Sequence, residues 1–166
     1  MTYNLCTETG YISLNHVGEQ LCGDRVEIVD KENESILVLA DGLGSGVKAN
    51  ILSTLTSKII STMLAGGMPI EECVDTIVKT LPVCSVRKVA YSTFTIIHVE
   101  ENTTATLIQF DNPNVILLRG GKHWDYPTTS RVIEGKTILE SKFPLQLNDM
   151  MIAMSDGAIW AGVGKA

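Results

Sequence analysis

The chain has 166 residues, is 45% hydrophobic and carries a formal net charge of −6 at pH 7. That supplies one globular domain with its own core, read as a single unit over 1–166. The acidic balance and the lack of any Lys- or Arg-rich block exclude a nucleic-acid surface, and the apolar runs are too short for a membrane span.

The opening "MTYNLCTETG" has neither a basic n-region nor an apolar h-region, so a soluble, unsecreted, cytoplasmic protein is expected. Cys6, Cys22, Cys73 and Cys84 lie far apart with no C-x-x-C pair, and are expected to be reduced and mostly buried. "GYISLNHV" (10–17) and "RVEIV" (25–29) alternate as strands do, and "SILVLAD" (35–41) reads as a more fully buried strand.

After Gly46 the period changes. Val47, Ile51, Leu55, Ile59 and Met63 recur every four residues, flanked by Leu52, Ile60 and Leu64, which predicts a helix buried along that stripe. Ser45 is placed to cap it and Gly66-Gly67 to end it. Pro69 suits the first position of a second helix, whose inward residues would be Ile70, Cys73, Val74, Ile77, Val78 and Leu81. From Ala90 strand patterns return as "AYSTFTIIHVE", "TTATLIQF", "NVILLR", "KTILES" and "DMMIAMSD", with Met150, Met151 and Met154 expected in the core. Connections this short join antiparallel neighbours, so the class is α+β.

Asp41 and Asp156 each follow a hydrophobic strand and precede glycine, as "ADG" and "SDG", and Asp24 in "CGDR" stands just ahead of another strand. Three carboxylates gathered at strand ends would repel by roughly 3–4 kcal/mol per pair at an effective dielectric of about 20. Hard cations offset such repulsion. Oxygen donors with open water positions suit Mg²⁺ or Mn²⁺, and two such ions bind phosphate oxygens and activate water.

Gly23-Asp24, then "ADGLGSG" ahead of a long helix, then "SDG" at 155–157 resemble, in order and interval, the metal-dependent protein serine/threonine phosphatases of type 2C. The likeness is to their bacterial branch, typified by sporulation stage II protein E, and runs from about Gly10 to the end of the chain. It implies an α-β-β-α sandwich of two antiparallel sheets flanked by helices, with a two-metal Mn²⁺ or Mg²⁺ site at one edge. By that likeness Asp41 bridges the ions, the Gly42 carbonyl binds one, Asp156 binds the other, and Asp24 holds a metal or its water. Water attacks phosphorus directly, and the substrate is a phosphoserine or phosphothreonine protein such as an anti-sigma-factor antagonist. The helical pair at about 45–81 is the expected regulatory element. The family's further C-terminal aspartate has no counterpart here, so the domain is expected to lack its C-terminal elements; no dedicated phosphate-binding arginine stands out, Arg25 being nearest.

Other readings compete. Gly44-Ser45-Gly46-Val47-Lys48-Ala49 satisfies G-x-G-x-x-A, which would make the Gly42–Gly46 loop a nucleotide site. A second helix then follows where a parallel strand is needed, and Asp41 crowds the phosphate. The aspartates could also be strand-end turn residues, or the fold could bind a partner through its helical face without catalysis. Cys84 and Arg87 lie too close for a thiol-phosphatase loop, and His16, His98 and His123 share no ligand spacing. In "GGKHWDYP" one aromatic, Trp124 or Tyr126, is expected to pack down.

Overall fold

The computed structural model describes residues 5–15, 17–81 and 92–161. Strands β1 (Asp24–Asp30) and β2 (Glu34–Gly42) lead into helices α1 (Gly46–Ala65) and α2 (Ile70–Thr80). There follow β3 (Ser92–Glu100), β4 (Thr104–Phe110), β5 (Ile116–Arg119), β6 (Lys122–His123), β7 (Thr129–Ile133), β8 (Lys136–Pro144), β9 (Met150–Ile152) and the short α3 (Asp156–Trp160). A six-stranded sheet runs β1-β2-β3-β4-β8-β7 and a three-stranded one runs β6-β5-β9. Every pairing is antiparallel, as the short connections require.

The large sheet is buried on both faces. Ile36, Val38 and Ala40 of β2, with Phe94, Ile96, Ile108 and Phe110, pack under α1 and α2. On the other face Ile97, Val99, Ala105, Leu107 and Phe143 meet Val115, just before β5, and Leu117 of the small sheet. Burial on both sides explains the unbroken apolar run of β2. The helices and two sheets make an α+β sandwich, as expected. None of the helices among the described residues is long and apolar enough to cross a membrane.

The helices sit where periodicity puts them; in α1 the expected Ile60 and Leu64 are buried and Met63 packs on the core, but most of the rest of the expected stripe turns outward. Val47, Ile51, Leu55 and Ile59 are 62%, 51%, 54% and 45% exposed, whereas Ala49, Ser53, Thr56, Ser57, Ile60, Ser61 and Leu64 are buried. Small residues let this helix lie close on the sheet. Their hydroxyls are satisfied within the helix, Ser53, Thr56, Ser57 and Ser61 donating to the carbonyls of Asn50, Leu52, Thr54 and Lys58. Ser45 takes the extended cap conformation but makes no side-chain cap bond; instead the Gly46 N–H donates to the Glu19 carboxylate at 3.0 Å. At the other end the Met68 N–H donates to the Met63 carbonyl across Gly66-Gly67. Helix α2 buries Cys73, Val74, Ile77 and Val78 as its pattern requires.

Other expectations are corrected. "GYISLNHV" forms no strand among its described residues; Tyr11, Ile12, Leu14 and Val17 are exposed, and tethers such as the Thr9 hydroxyl to Asp30 replace a ladder. Of the three described cysteines Cys73 is buried, Cys22 half-buried and Cys6 exposed; Cys84, Arg87, His16, Ala90 and Tyr91 lie outside the described residues. Met150 is exposed on the edge strand β9, while Met151 reaches the core between the sheets.

Candidate metal centre

Asp24 opens β1 and Asp41 stands next to last in β2, and the register makes them direct cross-strand partners. Such partners project from the same face with Cα atoms about 4.5–5.5 Å apart. Asp156 arrives from the other sheet, at the start of α3, and the preceding Ser155 donates its hydroxyl to Asp24 Oδ2 at 2.6 Å. Chain segments 131 residues apart therefore close on one point.

Burial pushes the Asp41 carboxyl up, and the charges of Asp24 and Asp156 and hydrogen bonds with both push it further, to about 8. A carboxyl raised that far favours its protonated form at neutral pH when no cation is bound. Among the described residues no three acidic, His or Cys side chains are spaced as a ready-made ion cage. The three aspartates nevertheless lie near enough for the charges of Asp24 and Asp156 to raise the Asp41 carboxyl. A divalent cation is the other way to neutralise the cluster, and the donor set of three carboxylates beside the Gly42 carbonyl is chemically that of Mg²⁺ or Mn²⁺.

The glycine after Asp41 has a steric cause. A Cβ on Gly42 would lie 2.0 Å from the Ala49 carbonyl oxygen, so the first turns of α1 rest directly on this backbone. The Gly42 N–H donates to the Gly23 carbonyl at 3.0 Å, joining the two glycine-flanked aspartates through their backbones. Gly44, at φ 91°, then turns the chain into the helix.

Arg25 does not join the carboxylates. It pairs across from Ala40, on the opposite face of β1 from Asp24, and its guanidinium bonds Glu27. Sequence reasoning missed Ser155 and Thr93. Thr93 is the cross-strand partner of Asp41 on β3, and its hydroxyl donates to Asn112 Oδ1 at 2.7 Å. Only the adjacency of Ser155 to Asp156 hinted at either. His98 sits in the large sheet against Glu34 and His123 lies on β6, so the histidines stay apart from the site.

The family model for stage II sporulation protein E (SpoIIE) matches residues 31–162, a span holding Asp41, Gly42 and Asp156 but beginning after Asp24. Among solved structures, RsbX in complex with magnesium superposes with TM-score 0.68 at 22% identity, covering 87% of this chain and 71% of that one. The PP2C phosphatase domain of SpoIIE from Bacillus subtilis, with a fragment of its regulatory domain, gives 0.71 at 20%, covering 84% and 43%. The RsbU and RsbW domains of a Mycobacterium tuberculosis protein give 0.67 at 16%, covering 88% and 42%. At these identities the likeness carries the fold, and this chain spans under half the length of the last two. No curated protein sequence matches significantly. With the family model covering most of its length, the chain belongs to the stage II sporulation protein E family.

Proposed function

We propose that this chain is a divalent-cation-dependent phosphoprotein phosphatase domain, hydrolysing phosphoserine or phosphothreonine on a cytoplasmic regulatory protein. The observation that carries this reading is the convergence of Asp24, Asp41 and Asp156, strong enough to lift the Asp41 carboxyl to about 8. Carboxylates that repel one another in this way are groups whose charge a bound divalent cation would offset. Bound there, Mg²⁺ or Mn²⁺ supplies positive charge to phosphate oxygens and a water nucleophile at neutral pH. Asp24, Asp41, Asp156 and the Gly42 carbonyl are the groups that would hold such ions.

The chain's own groups orient this set. Ser155 constrains the Asp24 side chain by donating to Oδ2 at 2.6 Å. The rigid pairing of β1 with β2 holds the carboxylates without loop freedom, and Gly42 allows α1 to close behind them. One structural neighbour joins an RsbU to an RsbW domain, which supports a substrate within a regulatory cascade, an anti-sigma-factor antagonist being the type expected. The test is phosphate release from a phosphoserine peptide with Mn²⁺. Turnover by the chain and none by Asp41→Asn is the expected pair; equal turnover by both would sink the assignment.

A second reading, partner binding through the helical pair, is favoured by the exposed apolar stripe on α1. The two are compatible if α1 and α2 regulate a single catalytic domain over 1–166. Substituting that stripe should alter regulation and leave Mn²⁺ binding intact; loss of Mn²⁺ binding would argue against a separate regulatory face.

A further inference from the structure

Beyond the carboxylates, the sandwich carries a groove of about 250 Å³ with Gln109, Val115, Tyr126 and Leu139 in its wall and a rim of Asn114, His123, Asp125 and Thr128 around Trp124. That is below the usual range for a small-molecule site and about right for one large side chain. Its floor is rigid and already satisfied. Gln109 Oε1 accepts from the Val115 N–H at 2.6 Å, the Tyr126 hydroxyl donates to the Val115 carbonyl at 2.5 Å, and the Tyr126 ring stacks on Phe143. At the rim the Trp124 indole is held with 36% of the residue exposed, one face against the Arg119 guanidinium at 4.2 Å and its edge toward Phe143. A tryptophan kept half-open in one orientation is an anchor for an apolar side chain.

Register fixes where the groove lies. Asp41 pairs with Thr93; one same-face step along β3 is Thr95, which pairs with Gln109. Two strand spacings across and one such step along put Gln109 about 12 Å from Asp41. The ground between is polar and continuous, since Asn112 accepts from the Thr93 hydroxyl and donates to Thr95 Oγ1. On the far side Thr128 leads into β7, the last strand of the six-stranded order, whose outer backbone edge has no strand partner among the described residues. An anchor pocket beside an edge strand is the arrangement that takes an extended peptide.

We infer that the Trp124 groove is a recognition subsite for the extended polypeptide flanking the phosphorylated residue, taking one large apolar side chain about four to six residues away from it. The inference rests on the phosphatase reading and supplies the substrate feature that reading leaves open. The probes are peptides of about thirteen residues, each with a central non-hydrolysable phosphonate analogue of phosphoserine in a Gly/Ser background. A single Leu is moved through every other position. Binding affinity is measured by calorimetry with Mg²⁺ present in every variant, and the Trp124 indole N–H resonance is followed alongside it in a Trp160→Phe background.

One Leu register on one side of the phosphonate should bind about tenfold tighter than the rest and shift the indole. That preference should vanish in Trp124→Ala and, should that variant fold poorly, in Asn114→Trp, which fills the groove from an exposed position. Equal affinity at every register, or a preference that survives both variants, overturns the inference. Turnover of a small aryl phosphate with Mn²⁺ is measured in parallel on the unmodified chain. Turnover without register preference removes the groove alone; register preference without turnover removes the phosphatase reading and leaves a phosphopeptide-binding face.

Discussion

Asp24 and Asp41 are direct cross-strand partners, and Ser155 reaches Asp24 from the opposite sheet at 2.6 Å. Both sheets therefore have to be in place before the acidic cluster exists, and gathering the three carboxylates costs stability.

That cost has a pH signature. The Asp41 carboxyl is raised from 3.8 to about 8 in the folded chain, so between those values the folded state keeps a proton that the unfolded state has lost. Stability without divalent metal should fall as pH rises across that window. Asp41→Asn should remove most of the slope and, at the alkaline end of the window, stabilise the metal-free chain by on the order of 1–3 kcal/mol, the full shift being discounted because Asp41 is only half-buried. Thermal melts with chelator at both ends of the window check this, a parallel pH slope in the two chains being the contrary result.

Gly42→Ala places a methyl 2.0 Å from the Ala49 carbonyl oxygen, against backbone that cannot step aside cheaply. A loss of about 2–4 kcal/mol in urea unfolding is expected, with Mn²⁺ affinity falling as α1 is displaced.

The exposed stripe of α1 gives a contrast within one helix. Leu55→Gln should change stability by less than about 0.5 kcal/mol, whereas Ile60→Ala, at a position with 0% exposure, should cost about 2–4 kcal/mol. Comparable losses at both positions would mean that Leu55 is covered.

Arg119 and Asp149 form a two-pronged ion pair at 2.9 and 2.8 Å, with side chains 13% and 3% exposed. Burial alone would raise the Asp149 carboxyl, but Arg119 and the Gln146 N–H bring it below 3.8, so its contribution is present above that value and lost as pH falls through the folded pKa. Arg119→Ala should cost about 3–5 kcal/mol at neutral pH and much less in acid, read by urea denaturation at both.

Much of this was legible in the sequence. The apolar run before Asp41, the glycines after it and the repeated strand-Asp-Gly pattern located the acidic edge, because strand ends and close backbone approach leave local marks. The inward face of α1 was legible only in part. Ile60 and Leu64 are buried as expected, but the buried Ser53, Ser57 and Ser61 share the four-residue spacing of the exposed Val47, Ile51, Leu55 and Ile59, and hydrophobicity misplaces the centre of the stripe where contact with Gly42 demands small residues. Strands β6 and β7 escaped notice because one is two residues long and the other is largely polar and at an edge. Thr93 and Ser155 were silent because their roles come from register and from a contact spanning most of the chain.

The most direct measurement is a calorimetric titration of Mn²⁺ into this chain beside its Asp41→Asn variant. The account predicts saturable binding by the chain that is lost in the variant. Binding by both alike, or by neither, would contradict a metal centre built on Asp24, Asp41 and Asp156.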